Sequence, residues 1–318
     1  MKKSYIKIVH GEDAYNDWFV VNWCLGNTCN YSCTYCPDNL HDGSKRWPEL
    51  ETIQQFILKV KSQHPGKKFY FEFTGGEVTL YKHFIELCEF CRSHDVRIGM
   101  ISNGSRTIRW WEENAHLFDH VCLSYHPEEA NPDHFLAVAK TLQNRFRLHV
   151  NIMMSPEKFD QCYEVAQQAT ELENTSIALQ PLIVDFGEVL YEYTDAQKEI
   201  LEKQYEQIGG KVKWTKHMEN YRGAMKLMYP NGTSLRVPPH ELIARGKNYW
   251  VGWDCYAGVE QLIVDYDGEI YRGWCKVGGR VGNIYDETIN FPTSPVRCNK
   301  LMCHCNFDIM STKVCPSN

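Results

Sequence analysis

The sequence predicts an α/β protein, in which a parallel-stranded domain of six strand–helix units precedes a small, cysteine-rich β-hairpin module. Three observations carry this expectation. Strand-like and helix-like stretches alternate from Trp18 to Pro181, and such alternation builds βαβ units around a parallel sheet. Asp267-Gly268 separates two short strand-like runs, a strong hairpin signal. The 14 cysteines are unevenly placed: four lie in residues 24–36 and six in residues 255–315, the distribution expected of two metal sites.

Composition narrows the function classes. A chain of 318 residues can form one large α/β domain with a smaller appendage and bury a substantial core. Its 43% hydrophobic and 23% charged residues are ordinary for a soluble globular enzyme. The net charge of −6 argues against an electrostatically driven nucleic-acid binder, though not against a tight site for one anionic substrate. No apolar run of about 18 residues is present, so no membrane partner is expected. Met1-Lys2-Lys3-Ser4-Tyr5 is basic without the apolar core of a signal peptide. A cytoplasmic location follows as the expectation, and there cysteines ligate metals more readily than they form disulfides.

Taken in order, Trp18–Leu25 is an apolar run of strand length leading into a cysteine-bearing loop that continues to Trp47. Pro48 suits a first helical turn, and Ile53, Phe56, Ile57 and Val60 recur at helical spacing. Lys68–Thr74, rich in aromatics, reads as the second strand and ends at Gly75-Gly76-Glu77. A helix over 81–93 precedes the strand Val96–Ser102, which ends at Asn103-Gly104. Helices near 110–117, 135–142 and 159–172 then alternate with strands over 121–125, 148–154 and 176–181. A charged amphipathic helix over 194–209 closes this domain, taken as residues 1–210. Residues 211–250 show no clean period and are read as a linker and substrate-facing insertion, with Arg222, Arg236 and His240 as candidate anion contacts. Residues 251–318 form the module with the hairpin Gln261–Asp265 and Ile270–Cys275.

Cys29, Cys33 and Cys36 form a C-x3-C-x2-C pattern with Tyr35 before the last thiol. Three thiolates on one short loop can hold three irons of a [4Fe–4S] cube, whereas protein-held clusters usually take four cysteines. One iron is then left for another ligand. A zinc knuckle is the competing reading, but it would want four ligands in paired units. In this spacing the sequence resembles the radical S-adenosylmethionine (SAM) superfamily. The resemblance implies an open (β/α)6 partial TIM barrel, to which six units conform. It also implies a SAM-binding [4Fe–4S] cluster whose open iron chelates SAM. One electron then cleaves SAM to a 5′-deoxyadenosyl radical that abstracts a substrate hydrogen.

In open α/β sheets ligands gather at the carboxyl ends of strands. Gly75, Gly76 and Glu77 resemble the family's Gly-Gly-Glu motif, with glycines that permit close backbone approach and a carboxylate for the SAM ammonium. Ser102, Asn103, Ser124, Asn151 and Gln180 end or line later strands, and the resemblance implies polar contacts from them to SAM or substrate. By the same resemblance Tyr35 packs near the adenine. Cys24, outside the motif spacing, is read as a buried strand thiol.

Cys255 and Cys275 flank the hairpin, and Cys298, Cys303 and Cys305 follow in a C-x4-C-x-C arrangement. This resembles the twitch (half-SPASM) extension of radical SAM enzymes, implying an auxiliary [4Fe–4S] cluster. Cys255, Cys275, Cys303 and Cys305 are the preferred ligands, with Cys298 the main rival and Cys315 a sixth thiol. A zinc ribbon, or a cluster with three protein ligands that binds substrate, are the alternatives.

An auxiliary cluster favours oxidation, cyclisation or cross-linking, in which the substrate radical exchanges an electron. Peptide-modifying relatives often carry an N-terminal recognition domain, and only about 17 residues precede the first strand here. The expected substrate is therefore a small polar metabolite, with a precursor peptide as the alternative and flavodoxin or ferredoxin as electron donor. A zinc-binding or electron-transfer protein is the non-enzymatic alternative.

Overall fold

The computed structural model of the protein describes residues 5–11, 13–187, 189–215, 225–303 and 305–316. In chain order its elements are β1 (Lys7–His10), β2 (Trp18–Cys24), α1 (Leu50–Gln63), β3 (Lys68–Thr74), α2 (Phe84–Ser93), β4 (Val96–Ser102), α3 (Ile108–Asn114) and β5 (His120–Tyr125). Then follow α4 (Pro132–Leu142), β6 (Arg147–Met154), α5 (Phe159–Ala169), β7 (Thr175–Pro181), α6 (Asp195–Glu202) and α7 (Gln204–Gln207). The remainder comprises β8 (Met225–Met228), β9 (Ser234–Val237), α8 (Pro239–Ala244), β10 (Asp254–Cys255), β11 (Gln261–Val264), β12 (Glu269–Tyr271), β13 (Arg280–Asn283), β14 (Val296–Arg297), α9 (Asn306–Ile309) and β15 (Lys313–Val314). The six expected strands are β2 to β7, separated by α1 to α5, and this is the α/β class read from the sequence.

Two compact units divide the chain, and neither is continuous in sequence. The first comprises Met1–Leu25, Pro48–Phe71 and Tyr221–Asn318; the second comprises Gly26–Trp47 and Glu72–Asn220.

In the second unit β4, β5, β6 and β7 pair in parallel and in that order. Their sequences explain the arrangement. β6 alternates buried and half-buried residues, so Leu148, Val150, Ile152 and Met154 point one way and Arg147, His149, Asn151 and Met153 the other. α4 and α5 cover the apolar side with Phe135, Val138, Leu142, Phe159, Cys162 and Val165. The starts of α4 and α6 are also encoded: Asn131 accepts the His134 amide before Pro132 opens α4, and Thr194 with Gln197 forms a full capping box on α6.

In the first unit two sheets form. One runs β14-β10-β15-β1-β8-β9, all antiparallel. In the other, β11 pairs in parallel with β2, while β12 and β13 extend it antiparallel. The hairpin expected around Asp267-Gly268 is β11–β12, with Ile263 opposite Tyr271. Within 211–250 the chain forms the β8–β9 hairpin and α8. β8 buries Met225 and Leu227 into a cluster with Tyr5, Ile8, Trp250, Trp253, Cys303 and Ile309. Arg222 lies outside the described residues, as does the His240 side chain, whereas Arg236 donates to the Gly11 carbonyl at 2.6 Å.

Candidate active site and metal centres

The cysteine loop belongs wholly to the second unit. Its frame is set before the first thiol. Asn27 is fully buried, and its amide nitrogen faces the Asn39 carbonyl (3.0 Å), Asp42 Oδ1 (2.7 Å) and Ser44 Oγ (3.1 Å). Its oxygen accepts the Lys45 amide at 3.0 Å, so one satisfied side chain ties the two arms of the loop together.

Gly76 explains how that frame meets the end of β3. It sits at φ +46°, and a Cβ there would lie 2.1 Å from the Thr28 carbonyl oxygen. The close approach that glycine permits is thus to the chain leading into the cysteines. Glu77 N–H donates to that same Thr28 carbonyl at 2.8 Å.

The Glu77 side chain is fully buried and turned inward. Oε1 accepts from Thr79 N–H (3.1 Å), Thr79 Oγ1 (2.7 Å) and Ser102 Oγ (2.9 Å), while Oε2 accepts from Asn103 N–H (2.8 Å). Burial pushes its pKa up against the pull of these bonds. The carboxylate therefore braces the end of β3 to the end of β4. Asn103 carries the connection on: its Nδ2 donates to Asn30 Oδ1 at 3.0 Å and lies 3.9 Å from Cys29 Sγ.

A second anchor comes from the segment after β5. Glu128 accepts from Thr34 N–H (2.6 Å) and Thr34 Oγ1 (2.7 Å), and Glu129 accepts from Ser32 N–H (3.3 Å). His126 Nδ1 lies 2.9 Å from the Tyr35 hydroxyl and 3.6 Å from Cys33 Sγ, with its ring parallel to that of Tyr35. Burial pulls the His126 pKa down to about 4, so the ring is neutral near pH 7. Beneath the loop, Cys33, Tyr35 and Leu182 form an apolar cluster with Tyr31, Cys36, Met153 and Tyr191 packed on it.

Desolvation by burial raises all three loop thiols, Cys33 to about 12 and Cys36 to about 11, and Cys29 likewise. Nearby negative charge adds to it: Glu77 acts on Cys29, Glu128 and Cys36 on Cys33, and Cys29 on Cys36. Such thiols become thiolates when a cation takes the proton's place. Among the described residues no three His, Cys, Asp or Glu side chains stand in metal-holding geometry. The fit to an iron–sulfur cluster thus rests on the donor set, three neighbouring thiols on one braced loop.

The second cysteine group lies in the first unit. Here Cys298 acts electrostatically on Cys255, Cys255 on Cys275, and both Cys255 and Cys275 on Cys303. Four thiols from separate places in the chain thus share one neighbourhood. Desolvation raises Cys255 and Cys303, and Cys275 to about 12. Asp308 organises the site. It is buried, accepts from the amides of Trp274 (3.1 Å) and Cys275 (2.9 Å), and comes so close to Gly273 that a Cβ there would lie 2.7 Å from its Oδ1. Cys305 stands at the N-cap position of α9, and Cys315 packs on the apolar cluster that contains Cys303.

With this geometry established, known proteins can be compared. Residues 23–169 match the model of the Radical SAM superfamily. That stretch, just under half of the chain, holds the cysteine loop and Gly75-Gly76-Glu77. The sporulation killing factor maturation protein SkfB of Bacillus subtilis is 31% identical over 97 residues, 30% of this chain and 22% of SkfB. The mycofactocin maturase MftC of Mycolicibacterium smegmatis is 30% identical over 86 residues, 27% of this chain and 21% of MftC. The aligned stretch thus spans about a fifth of each relative's length. SuiB of Streptococcus suis, solved with S-adenosylmethionine, shares the fold at 12% identity and a TM-score of 0.52, covering 86% of this chain and 63% of SuiB. SuiB solved with the precursor peptide SuiA gives the same TM-score of 0.52.

The residues singled out from sequence fall into two sets. Cys29, Gly76, Glu77, Ser102 and Asn103 form one connected network, and Cys33 and Tyr35 join it through the loop. Ser124 and Asn151 lie further along the sheet. They face each other across β5 and β6, and Asn151 Nδ2 donates to Cys122 Sγ at 3.3 Å while its Oδ1 meets His149 Nε2 at 2.9 Å. Gln180 donates to the neighbouring Pro181 carbonyl at 3.0 Å. Cys24 ends β2 and is buried, as a strand thiol should be. Sequence reasoning missed Asn27, His126, Glu128, Glu129 and Asp308. The run His126-Pro127-Glu128-Glu129 directly follows a strand, which is the signal that could have found it. Asn27 and Asp308 act by burial, which leaves no local pattern.

Proposed function

We propose that the protein is an enzyme that cleaves SAM reductively and abstracts a hydrogen atom from a precursor peptide. The observation carrying this reading is the network from Cys29 through Asn103 and Glu77 to Thr28, which fixes a three-thiol loop against the ends of β3 and β4. A [4Fe–4S] cluster bound by Cys29, Cys33 and Cys36 would supply the electron and the open iron for SAM. Glu77 holds the loop's register, and Glu128 and Glu129 fasten its backbone amides. Tyr35, Asn103 and Ser124 remain the candidate contacts for SAM. In the first unit Cys255, Cys275, Cys298 and Cys303 are the ligand set favoured for an auxiliary cluster, with Cys305 the rival.

The names of two relatives, a maturation protein and a maturase, and the SuiB–SuiA complex support the peptide over the small metabolite expected from the short N-terminal segment. A small polar metabolite is the second reading. It is favoured by the polar side of β5–β7, where Cys122, His149, Asn151 and Ser176 are linked. A cytoplasmic flavodoxin or ferredoxin is the proposed electron donor. Among the described residues no helix is long and apolar enough to cross a membrane.

The test is anaerobic reconstitution with iron and sulfide, followed by SAM and dithionite. About eight irons per chain and formation of 5′-deoxyadenosine are expected. Cluster-replete protein that forms none would overturn the reading, and zinc without labile sulfide would favour an interaction module. Adding candidate precursor peptides or polar metabolites and following loss of substrate hydrogen by mass spectrometry separates the two substrate classes.

A further inference from the structure

Lys313 opens β15 with its side chain turned fully inward, only 1% exposed. Its ammonium donates to the carbonyls of Asp308 (2.6 Å), Ile309 (3.0 Å) and Ser311 (3.1 Å), so each of its donors meets a neutral acceptor. The nitrogen also lies 5.0 Å from the centre of the Trp250 ring. Carbonyl dipoles and a ring face solvate an ammonium without neutralising it, and a buried charge without a counter-charge is costly. The negative groups acting on this ammonium are Cys255, Cys303, Asp308 and Cys298. Three of those four are thiols of the second cysteine group, and the fourth is the single carboxylate of Asp308, which also accepts from the amides of Trp274 and Cys275.

At the second group the ammonium of Lys313 stands against the one carboxylate of Asp308, whereas at the loop site in the second unit no cation of the described residues is among the charges acting on Cys29 and Cys33. The charges acting on Cys29 and Cys33 from outside the loop are Glu77, Glu128 and Glu129, all carboxylates. A [4Fe–4S] cluster held by four thiolates carries a net charge of about −2 when oxidised and gains one more negative charge on reduction, and its potential follows the charge around it. A fixed cation in a medium of low dielectric favours the more negative, reduced form.

We propose that Lys313 is the counter-charge of an auxiliary cluster held by Cys255, Cys275, Cys298 and Cys303, and that it raises that cluster's reduction potential above that of the loop cluster. This rests on the auxiliary-cluster reading given above. In the half-reaction, the oxidised cluster takes up one electron and no proton, and Lys313 stays protonated throughout. Lys313 is a tuning residue that acts through the cluster.

The test is a dye-mediated redox titration of the full-length reconstituted protein, followed by electron paramagnetic resonance. A Cys29→Ala/Cys33→Ala/Cys36→Ala variant assigns the two signals. Lys313→Met and Lys313→Gln are expected to lower the auxiliary potential by at least about 59 mV, a tenfold change in a one-electron equilibrium, and to leave the loop potential in place. Lys313→Arg should keep it near the wild-type value. Gln can still donate to part of the carbonyl cage without the charge, so it decides the matter if Met prevents folding. A purely structural cap would change iron content or melting temperature without moving the potential of the cluster that remains. An unmoved auxiliary potential overturns the inference, as does a shift in Arg equal to that in Met. The wild-type protein gives an independent check, because an auxiliary potential below that of the loop cluster also overturns it. Wild-type protein holding only four irons instead overturns the auxiliary cluster itself, so the two failures are distinguishable.

Discussion

The two cysteine groups solve the same problem by opposite means. In the second unit three thiols come from eight consecutive residues, and the fold's work is to hold that loop still with Asn27, Thr28, Glu77, Glu128 and Glu129. In the first unit the thiols of Cys255, Cys275, Cys298 and Cys303 come from separate segments, and the fold's work is to bring them together around Asp308 and Lys313. The difference teaches that a local site is limited by backbone geometry and a dispersed site by chain topology. It also sets their electrostatics apart, with carboxylates alone acting on one and an ammonium offsetting a carboxylate beside the other.

The largest effect should separate the groups outright. Replacing Cys29, Cys33 and Cys36 together by alanine should abolish 5′-deoxyadenosine formation and remove about four irons, while iron of the second group is retained; loss of all iron would mean the two sites are not independent. Stripping the iron with a chelator is expected to act more strongly on the first unit. There the thiols of residues 255 to 303 close a long stretch of chain, and metal-held closure of that kind contributes several kcal/mol. Hydrogen exchange should therefore accelerate at β10, β14 and β15 more than at β4 to β7, and equal acceleration would break the comparison.

Gly76→Ala probes the local plan. A Cβ at φ +46° and 2.1 Å from the Thr28 oxygen forces the loop away from β3, at a cost of about 2–4 kcal/mol. The expected readout is a lower melting temperature with iron loss confined to the loop site. The smallest effect belongs to neither group and acts as a control. Burial lowers the His149 pKa to about 4, against about 6.5 in the unfolded chain. The unfolded state then binds more protons across that interval, so the stability from neutral His149 is complete above pH 6.5 and lost as pH falls toward 4. His149→Gln should flatten the pH dependence of the urea midpoint there; an unchanged slope would show that other groups govern it.

Much of this was legible in the sequence, for identifiable reasons. β2 to β7 are six or more residues long, and their helices repeat apolar residues at 3.6 spacing, so periodicity found them. β1, β8, β9 and β10 have four residues or fewer, too few to show a period, and outside the β8–β9 hairpin their partners lie far along the chain. Residues 211–250 looked aperiodic for that reason. The loop cysteines were legible because their spacing is local. The second set was legible only as a list of thiols, since spacing does not say which of them the fold brings together. Gly-Gly-Glu was visible as a motif, whereas the inward turn of Glu77 arises from tertiary burial that no local pattern marks.

The pairing of β1 bears on how the molecule is made. Lys7 and Ile8 lie between Leu227 and Met228 on one side and Lys313 and Val314 on the other. During synthesis the first strand must therefore wait for almost the whole chain before its second neighbour exists, whereas β4 to β7 can pair as they emerge. The second unit is positioned to fold while the chain is still growing, and the first unit closes last. Iron delivery in the cell would then meet a formed loop early and a formed four-thiol site only once β15 has been made.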